Sequence, residues 1–191
     1  DSMDDAIAHF QTLLETGFSA NDIQFQKKTG EIRWWTVIAK KLSEDRYIGF
    51  CDDITERKQD AEQLAAKTKE LKLYFNSSLD MLCISNTDGF FLRLNPVWEE
   101  ILGYSLDELL GRRFLDFVHP EDVDATLQAM ANLESQEKIQ NFVNRYRHSN
   151  GTYRWIEWRS LPIESLIYSA ARDITDRKKI EDALEHELNS R

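Results

Sequence analysis

The amino-acid sequence predicts an α+β fold in which one antiparallel sheet is covered on one face by short helices. Three observations predict it. Five strand-like runs occur, at 81–85, 90–94, 140–148, 152–161 and 165–174, and helical signals fill the interval between the second and the third. Asn150-Gly151, between the third and fourth runs, is a strong signal for a tight hairpin. An internal repeat carries a helix and the last three runs a second time, near the N-terminus.

The elements follow in order. The run from Met81 to Ser85 is short and apolar, and Thr87-Asp88-Gly89 is turn chemistry in which Gly89 takes positive φ. Residues 90–94 alternate as the partner strand. Asn95-Pro96 offers a capping side chain and then a proline suited to a first helical position, and the short helix it opens stops at Gly103. Ser105-Leu106-Asp107-Glu108 reads as a capping box, with Gly111 ending that helix. His119-Pro120-Glu121-Asp122 places a proline and two carboxylates at the positive end of a longer helix, expected from Glu121 to about Leu133.

The repeat is explicit. Lys28-Thr29-Gly30-Glu31-Ile32-Arg33-Trp34 is echoed by Ser149-Asn150-Gly151-Thr152-Tyr153-Arg154-Trp155 at an offset of 121. Asp53-Ile54-Thr55-Glu56-Arg57-Lys58 is echoed by Asp173-Ile174-Thr175-Asp176-Arg177-Lys178 at an offset of 120, so one residue is deleted in between. Upstream, Ile7 and Phe10 align with Leu127 and Met130 at helical spacing. Residues 71–120 have no counterpart in the first copy, which is therefore truncated.

Composition bounds the function. Hydrophobic residues make up 41% of the chain and aromatics 11%, enough for packed cores and too many for a disordered chain. The net charge of −10 repels phosphate backbones and anionic lipid surfaces, which argues against a nucleic-acid partner. Cys51 and Cys83 lack the spacing of a metal cluster or a disulfide framework, and a reducing, cytoplasmic setting is expected. No apolar run approaches the ~20 residues of a membrane span. Direct membrane insertion of this segment is not expected, although a parent protein tethered elsewhere is compatible with it.

Together the landmarks carry a resemblance. Asp88-Gly89, Asn95-Pro96, Leu102-Gly103-Tyr104-Ser105, His119-Pro120-Glu121-Asp122, Asn144-Arg145-Tyr146, the Gly151-to-Trp155 run and Ala171-Arg172-Asp173-Ile174-Thr175-Asp176-Arg177-Lys178 occur in the order and spacing of PAS (Per-Arnt-Sim) sensor domains. The chain resembles that family over about 71–178, and over 1–58 for the partial copy. The final motif resembles the PAC motif, and the tandem arrangement is similar to that of bacterial sensory-box histidine kinases. The resemblance implies a five-stranded antiparallel sheet with short helices folded over it around a cavity able to hold a ligand. It divides the chain into a partial PAS domain at 1–56, a linker helix at 57–72, a complete domain at 73–178 and the start of an outgoing signalling helix at 179–191. The sequence shows no kinase nucleotide-binding box, phosphoacceptor helix or cyclase signature, so the segment reads as an input module and not an enzyme. The expected parent is a two-component sensor histidine kinase with its output domain downstream. The alternatives are a ligand-free dimerisation scaffold and the input domain of a diguanylate cyclase.

Candidate ligand-binding residues are Asn95, Trp98, Tyr104, Phe114, Phe117, Arg145, Tyr146 and Trp155. The competing reading gives the aromatics to the core, Asn95 to the helix start at Pro96 and Arg145 to the solvent face. Trp155 and Trp158 have opposite strand parity, so at most one of them faces a cavity unless a bulge intervenes. No metal site is expected. Some members of the resembling family hold haem through a histidine of the long helix, but His119 stands at the capping position before Pro120. His9, in the first copy, aligns with Ala129. A flavin–cysteine adduct is not expected, because residues 96–119 contain no cysteine. The cofactor stays unassigned, and a small metabolite is compatible with the sequence.

In the resembling family the Asp-Ile-Thr junction joins the last strand to an outgoing helix. Asp53, Ile54, Thr55, Asp173, Ile174 and Thr175 are therefore the candidate signal-transmission residues, with Glu56 completing a capping box on Asp53. Residues 55–75 lack Gly and Pro and place Ala61, Leu64, Thr68, Leu71 and Phe75 on a heptad-like seam, while Ile180, Leu184 and Leu188 share one face of a second helix. Both helices predict a homodimer through coiled-coil pairing.

Overall fold

The computed structural model describes residues 2–189. The chain forms two compact units, 1–70 and 71–191. The first contains α1 (Ser2–Thr16), β1 (Phe18–Gln26), β2 (Ile32–Ser43) and β3 (Arg46–Asp53), the strands forming an antiparallel sheet in the order β1-β2-β3. α2 (Thr55–Ser77) follows.

The second unit contains β4 (Met81–Asn86), β5 (Phe91–Leu94), α3 (Val97–Leu102), α4 (Leu106–Leu109), α5 (Val123–Glu134), β6 (Ile139–Arg147), β7 (Tyr153–Ile163), β8 (Leu166–Asp173) and α6 (Thr175–Asn189). Its five strands are antiparallel in the order β5-β4-β8-β7-β6, so the first strand of the unit pairs with the last. Alternate residues of the strands meet α3, α4 and a 3-10 turn at Phe114–Phe117 in one core built around Met81, Phe91, Trp98, Leu109, Tyr146 and Ile156. This is the predicted fold class.

Local chemistry explains the turns. Gly89 has φ 87°, a left-handed backbone conformation that calls for glycine. Gly103 closes α3 in the left-handed region with φ 73°. The Ser105–Glu108 capping box forms, the Glu108 carboxylate accepting from the Ser105 N–H at 2.8 Å.

Two expectations are corrected. Asn95 does not cap α3, which begins at Val97 after Pro96. Its Oδ1 accepts from Leu82 N–H at 2.9 Å and its Nδ2 donates to the Asp80 carbonyl at 2.9 Å, so a fully buried side chain stitches the start of α3 to β4. The long helix begins as a 3-10 turn, Pro120–Asp122, before α5 takes over at Val123. His119 does cap this entrance: its Nδ1 accepts from Glu121 N–H at 3.2 Å, and its ring packs on Tyr153.

The repeat holds in register. Gln24 pairs with Trp34 as Arg145 pairs with Trp155, and Trp35 with Asp53 as Ile156 with Asp173. The residue that changes the offset from 121 to 120 is Leu42, a bulge in β2 between the Lys41–Tyr47 and Ser43–Arg46 pairs. The second unit has its own bulge at Asn141 of β6, a residue type that tolerates its φ of 58°.

Candidate ligand cavity and strand-to-helix junctions

A cavity of about 50 Å³ lies between the sheet and α5 of the second unit. Its walls include Phe91, Phe114, Met130, Phe142, Tyr146 and Trp158. A ligand cavity of 150 Å³ holds benzene, so a space one third that size takes about two or three heavy atoms. A haem or flavin exceeds it many-fold.

Five polar side chains of the wall, Thr126, Asn144, Trp158, Ser160 and Ser169, are hydrogen-bonded. Ser160 Oγ and Ser169 Oγ lie 2.7 Å apart across β7 and β8. Trp158 Nε1 donates to Asn144 Oδ1 at 2.7 Å, Asn144 Nδ2 to Thr126 Oγ1 at 3.0 Å, and Thr126 Oγ1 to the Asp122 carbonyl at 2.7 Å. A hydrogen-bonded line therefore runs from the cavity wall to the entrance of α5. Burial pushes the Cys83 thiol up to about 12 and lifts the Tyr146 phenol well above its ordinary value. The wall is neutral at physiological pH.

Of the predicted ligand-binding residues, Phe114 and Tyr146 line this cavity. Trp98 and Phe117 lie in the core and not in the cavity wall, and Tyr104 packs edge-on against Phe117 at 5.3 Å. Asn95 is occupied by its two backbone bonds. Arg145 and Trp155 pair across β6 and β7 with the opposite parity to Tyr146 and Trp158, so they belong to the other face of the sheet. Trp158, and not Trp155, faces the cavity. The residues missed include the apolar Phe91, Met130 and Phe142 and the polar Ser160, Ser169, Asn144 and Thr126. Strand parity is the signal that finds Asn144 and Ser160, which lie two residues from Tyr146 and Trp158 on the same face of their strands.

Arg145 instead anchors the entrance of α5 to the sheet. Its Nε and Nη2 donate to the two Asp122 oxygens at 2.9 and 2.7 Å, its backbone N–H donates to Asp122 at 2.7 Å, and Nη2 reaches Glu121 at 2.8 Å. The Arg145 hydrogen bonds hold the Asp122 carboxyl below the usual carboxylate range. The guanidinium lies 5.1 Å from the Trp155 ring centroid.

The two Asp-Ile-Thr junctions have one geometry. At the second, Asp173 ends β8 and Thr175 opens α6. Asp173 Oδ1 accepts from the Thr175 N–H at 2.8 Å and from its hydroxyl at 2.5 Å, while Thr175 Oγ1 accepts from Trp155 N–H at 2.9 Å and Ile174 N–H donates to the Trp155 carbonyl at 2.8 Å. At the first, Asp53 accepts from Thr55 at 3.0 and 2.5 Å, Thr55 Oγ1 accepts from Trp34 N–H at 2.8 Å, and Ile54 N–H donates to the Trp34 carbonyl at 2.8 Å. The Thr55 hydroxyl and N–H bonds lower the Asp53 pKa. The aspartate cap thus reaches the residue two positions on, in place of the expected box with Glu56. Each junction adds a lysine near a tryptophan ring, Lys58 at 5.1 Å from Trp34 and Lys178 at 6.0 Å from Trp155. Each outgoing helix is pinned to its sheet through one threonine hydroxyl.

Among the described residues, no helix is long and apolar enough to cross a membrane, and no group of three or more His, Cys, Asp or Glu side chains stands ready to hold a metal ion.

A protein-family profile described as the PAS fold matches residues 91–166. Sporulation kinase E of Bacillus subtilis is 22% identical over 167 residues, which cover 85% of this chain and 22% of that protein. The probable diguanylate cyclase DgcE of Escherichia coli is 31% identical over 91 residues, covering 45% of this chain and 8% of that protein. A sensory box histidine kinase/response regulator structure from Burkholderia thailandensis aligns over 63% of this chain and 95% of its own, with 28% identity and a TM-score of 0.50. The chain thus spans less than a quarter of the length of either curated relative.

Proposed function

We propose, from the premise that β4 to β8 form a PAS domain, that this chain is the sensory input segment of a larger signalling protein and passes its state into α6 through Asp173-Ile174-Thr175. The segment itself is a sensor domain and not a catalytic one. The duplicated junction carries the reading, because the same hydrogen bonds fasten a sheet to an outgoing helix twice in one chain. The first unit is, in this reading, the C-terminal half of a second PAS domain that feeds α2 through Asp53-Ile54-Thr55.

The neutral, mostly apolar cavity wall favours a small uncharged ligand, since a buried charge without a partner is costly. Such a ligand moves the sheet only through different affinities for its two arrangements. Parentage by a two-component sensor histidine kinase is supported by the similarity to sporulation kinase E and to the Burkholderia structure. A diguanylate cyclase parent is the second reading, supported by the match to DgcE. The small cavity favours the remaining alternative, a ligand-free dimerisation scaffold. Homodimerisation through α2 and α6 is supported by the exposure of Leu64, Leu71, Ile180, Leu184 and Leu188, which parallel pairing would cover. A cytoplasmic location accords with the two unpaired cysteines.

The test is Asp173→Ala in the intact parent, with output measured across conditions that normally change it. Output fixed at one level, with the domain still folded, is expected. Regulation like that of the natural protein would refute the relay.

A further inference from the structure

The end of α2 and the start of α6 meet the same face of the second sheet, the one turned away from the cavity. The last turn of α2 is fixed there by Phe75, whose ring centroid lies 4.5 Å from the guanidinium of Arg93 in β5. Just past that turn Asp80 is held by its backbone, its N–H donating to Ser78 Oγ at 3.2 Å and its carbonyl accepting from Asn95 Nδ2 at 2.9 Å. The Asp80 carboxylate turns to β8 and accepts from Arg172 Nε and Nη2 at 2.8 and 2.9 Å.

Arg172 is the second member of a row. Across β8 and β7 it stands directly opposite Glu157, and both alternate with the inward-facing Ala171 and Trp158, so the two opposite charges are neighbours on the outer face. Glu157 in turn accepts from Nη2 of Arg177 in α6 at 3.2 Å, and Arg177 Nε lies 3.5 Å from Glu181 one turn further on. Charges of alternating sign thus run from Asp80, beside the end of α2, to Glu181 in α6. Hydrogen bonds to Asp80 raise the Arg172 pKa and the Glu157 charge adds to the rise, so Arg172 feels both neighbours.

Folding stability does not account for the row. The Arg172 and Arg177 side chains are 65% and 54% exposed, and ion pairs this open contribute little. Nor does the duplication carry it: at the positions of Glu157 and Arg172 the first unit has Thr36 and Asp52, which stand opposite each other in the same way. The row is particular to the unit that α2 enters.

We propose that Asp80, Arg172, Glu157 and Arg177 form a second input to α6, by which a displacement of the end of α2 repositions the outgoing helix without passing through the cavity. The inference rests on the reading of α2 and α6 as signalling helices. In that reading α2 leaves the first unit, so the first unit reaches the output whether or not the second holds a ligand. A shift of the Asp80 carboxylate moves Arg172, changes the field at Glu157 and releases or tightens Arg177. The Asp173-Ile174-Thr175 junction stays the route from the cavity, and the two routes converge on the first turns of α6.

Amide chemical shifts of residues 177–181 test this in the chain itself. Asp80→Asn removes the charge beside α2 and keeps both backbone bonds of that residue; in dilute buffer it is expected to shift those amides. The shift is expected to vanish where Glu157→Gln has already interrupted the row, and also in ~1 M salt, where the screening length falls to about 3 Å. A packing role for Asp80 would survive both. With Thr175→Val, which cuts the junction, the response to Asp80→Asn is expected to persist. Amides that ignore Asp80→Asn, or that answer it equally with Glu157→Gln or in ~1 M salt, overturn the proposal. So does a response lost with Thr175→Val, since α2 then acts through the junction. Failure of the junction relay is read separately, as amides unmoved by a change in the cavity wall, and leaves these expectations as they stand.

Discussion

Trp98→Ala is expected to destabilise the second unit by about 3–5 kcal/mol, the range for a large aromatic removed from a packed core. Trp98 is fully buried in α3 and meets Phe91, Trp158 and Tyr146 with ring centroids 5.0, 5.9 and 6.3 Å away. Phe91 lies in β5 at one edge of the sheet, and Trp158 and Tyr146 in β7 and β6 toward the other, so one side chain fastens the helical layer to both edges of the sheet. Its Nε1 donates to the Leu82 carbonyl at 3.1 Å, but that oxygen also accepts from Asn95 N–H at 3.1 Å. Trp98→Phe, which keeps most of the packing and leaves Leu82 with one donor, is expected to cost less than half as much as alanine. Urea unfolding of the two variants measures both, and a loss under ~1 kcal/mol for alanine would remove Trp98 from the core.

Breaking the Asp122–Arg145 pair is the second large effect. Both side chains are mostly buried, the contact is bidentate, and a backbone N–H completes it. Asp122→Asn is expected to cost about 1–3 kcal/mol at pH 7, the range for charge-assisted bonds that remain partly open to solvent. The sign with pH follows from the Asp122 carboxyl being held low in the folded state. Its stabilising effect is complete above the unfolded value of ~3.9 and is lost as pH falls through the lower folded value. The difference between natural and Asp122→Asn proteins should therefore shrink below about pH 4. A difference that stays constant from pH 7 to pH 3 would show that the carboxylate charge plays no part.

The strands were legible because their boundaries are written in turn residues. Gly89, Asn150-Gly151 and the Asp173-to-Thr175 junction act within a few residues of themselves, and local signals survive folding. Asn95 was misread for the opposite reason: its side-chain partners, Asp80 and Leu82, are 15 and 13 residues away and become neighbours only when β4 meets the start of α3. The cavity wall was half legible. Aromatics such as Phe114 and Tyr146 announce themselves, whereas Ser160 and Ser169 look like surface residues until the β7–β8 register places one hydroxyl against the other. The choice between Trp155 and Trp158 turned on hairpin register, which pairs Trp155 with Arg145 and sends Trp158 inward. The bulge at Leu42 shows in the sequence only as the change of repeat offset, and which residue is extra is visible only against the partner strand; the bulge at Asn141 leaves no mark in the sequence.

The central claim is that the cavity and α6 communicate through the junction, and backbone amide chemical shifts test it within this chain. Ala129→Val narrows the cavity from α5, and Thr175→Val removes the hydroxyl that joins Trp155, Asp173 and the helix start. With Thr175 in place, Ala129→Val is expected to shift the amides from Thr175 to Lys178; with Thr175→Val, the same cavity change should leave them where they are. Amides that ignore Ala129→Val in the natural junction, or that respond equally in both, would contradict the claim.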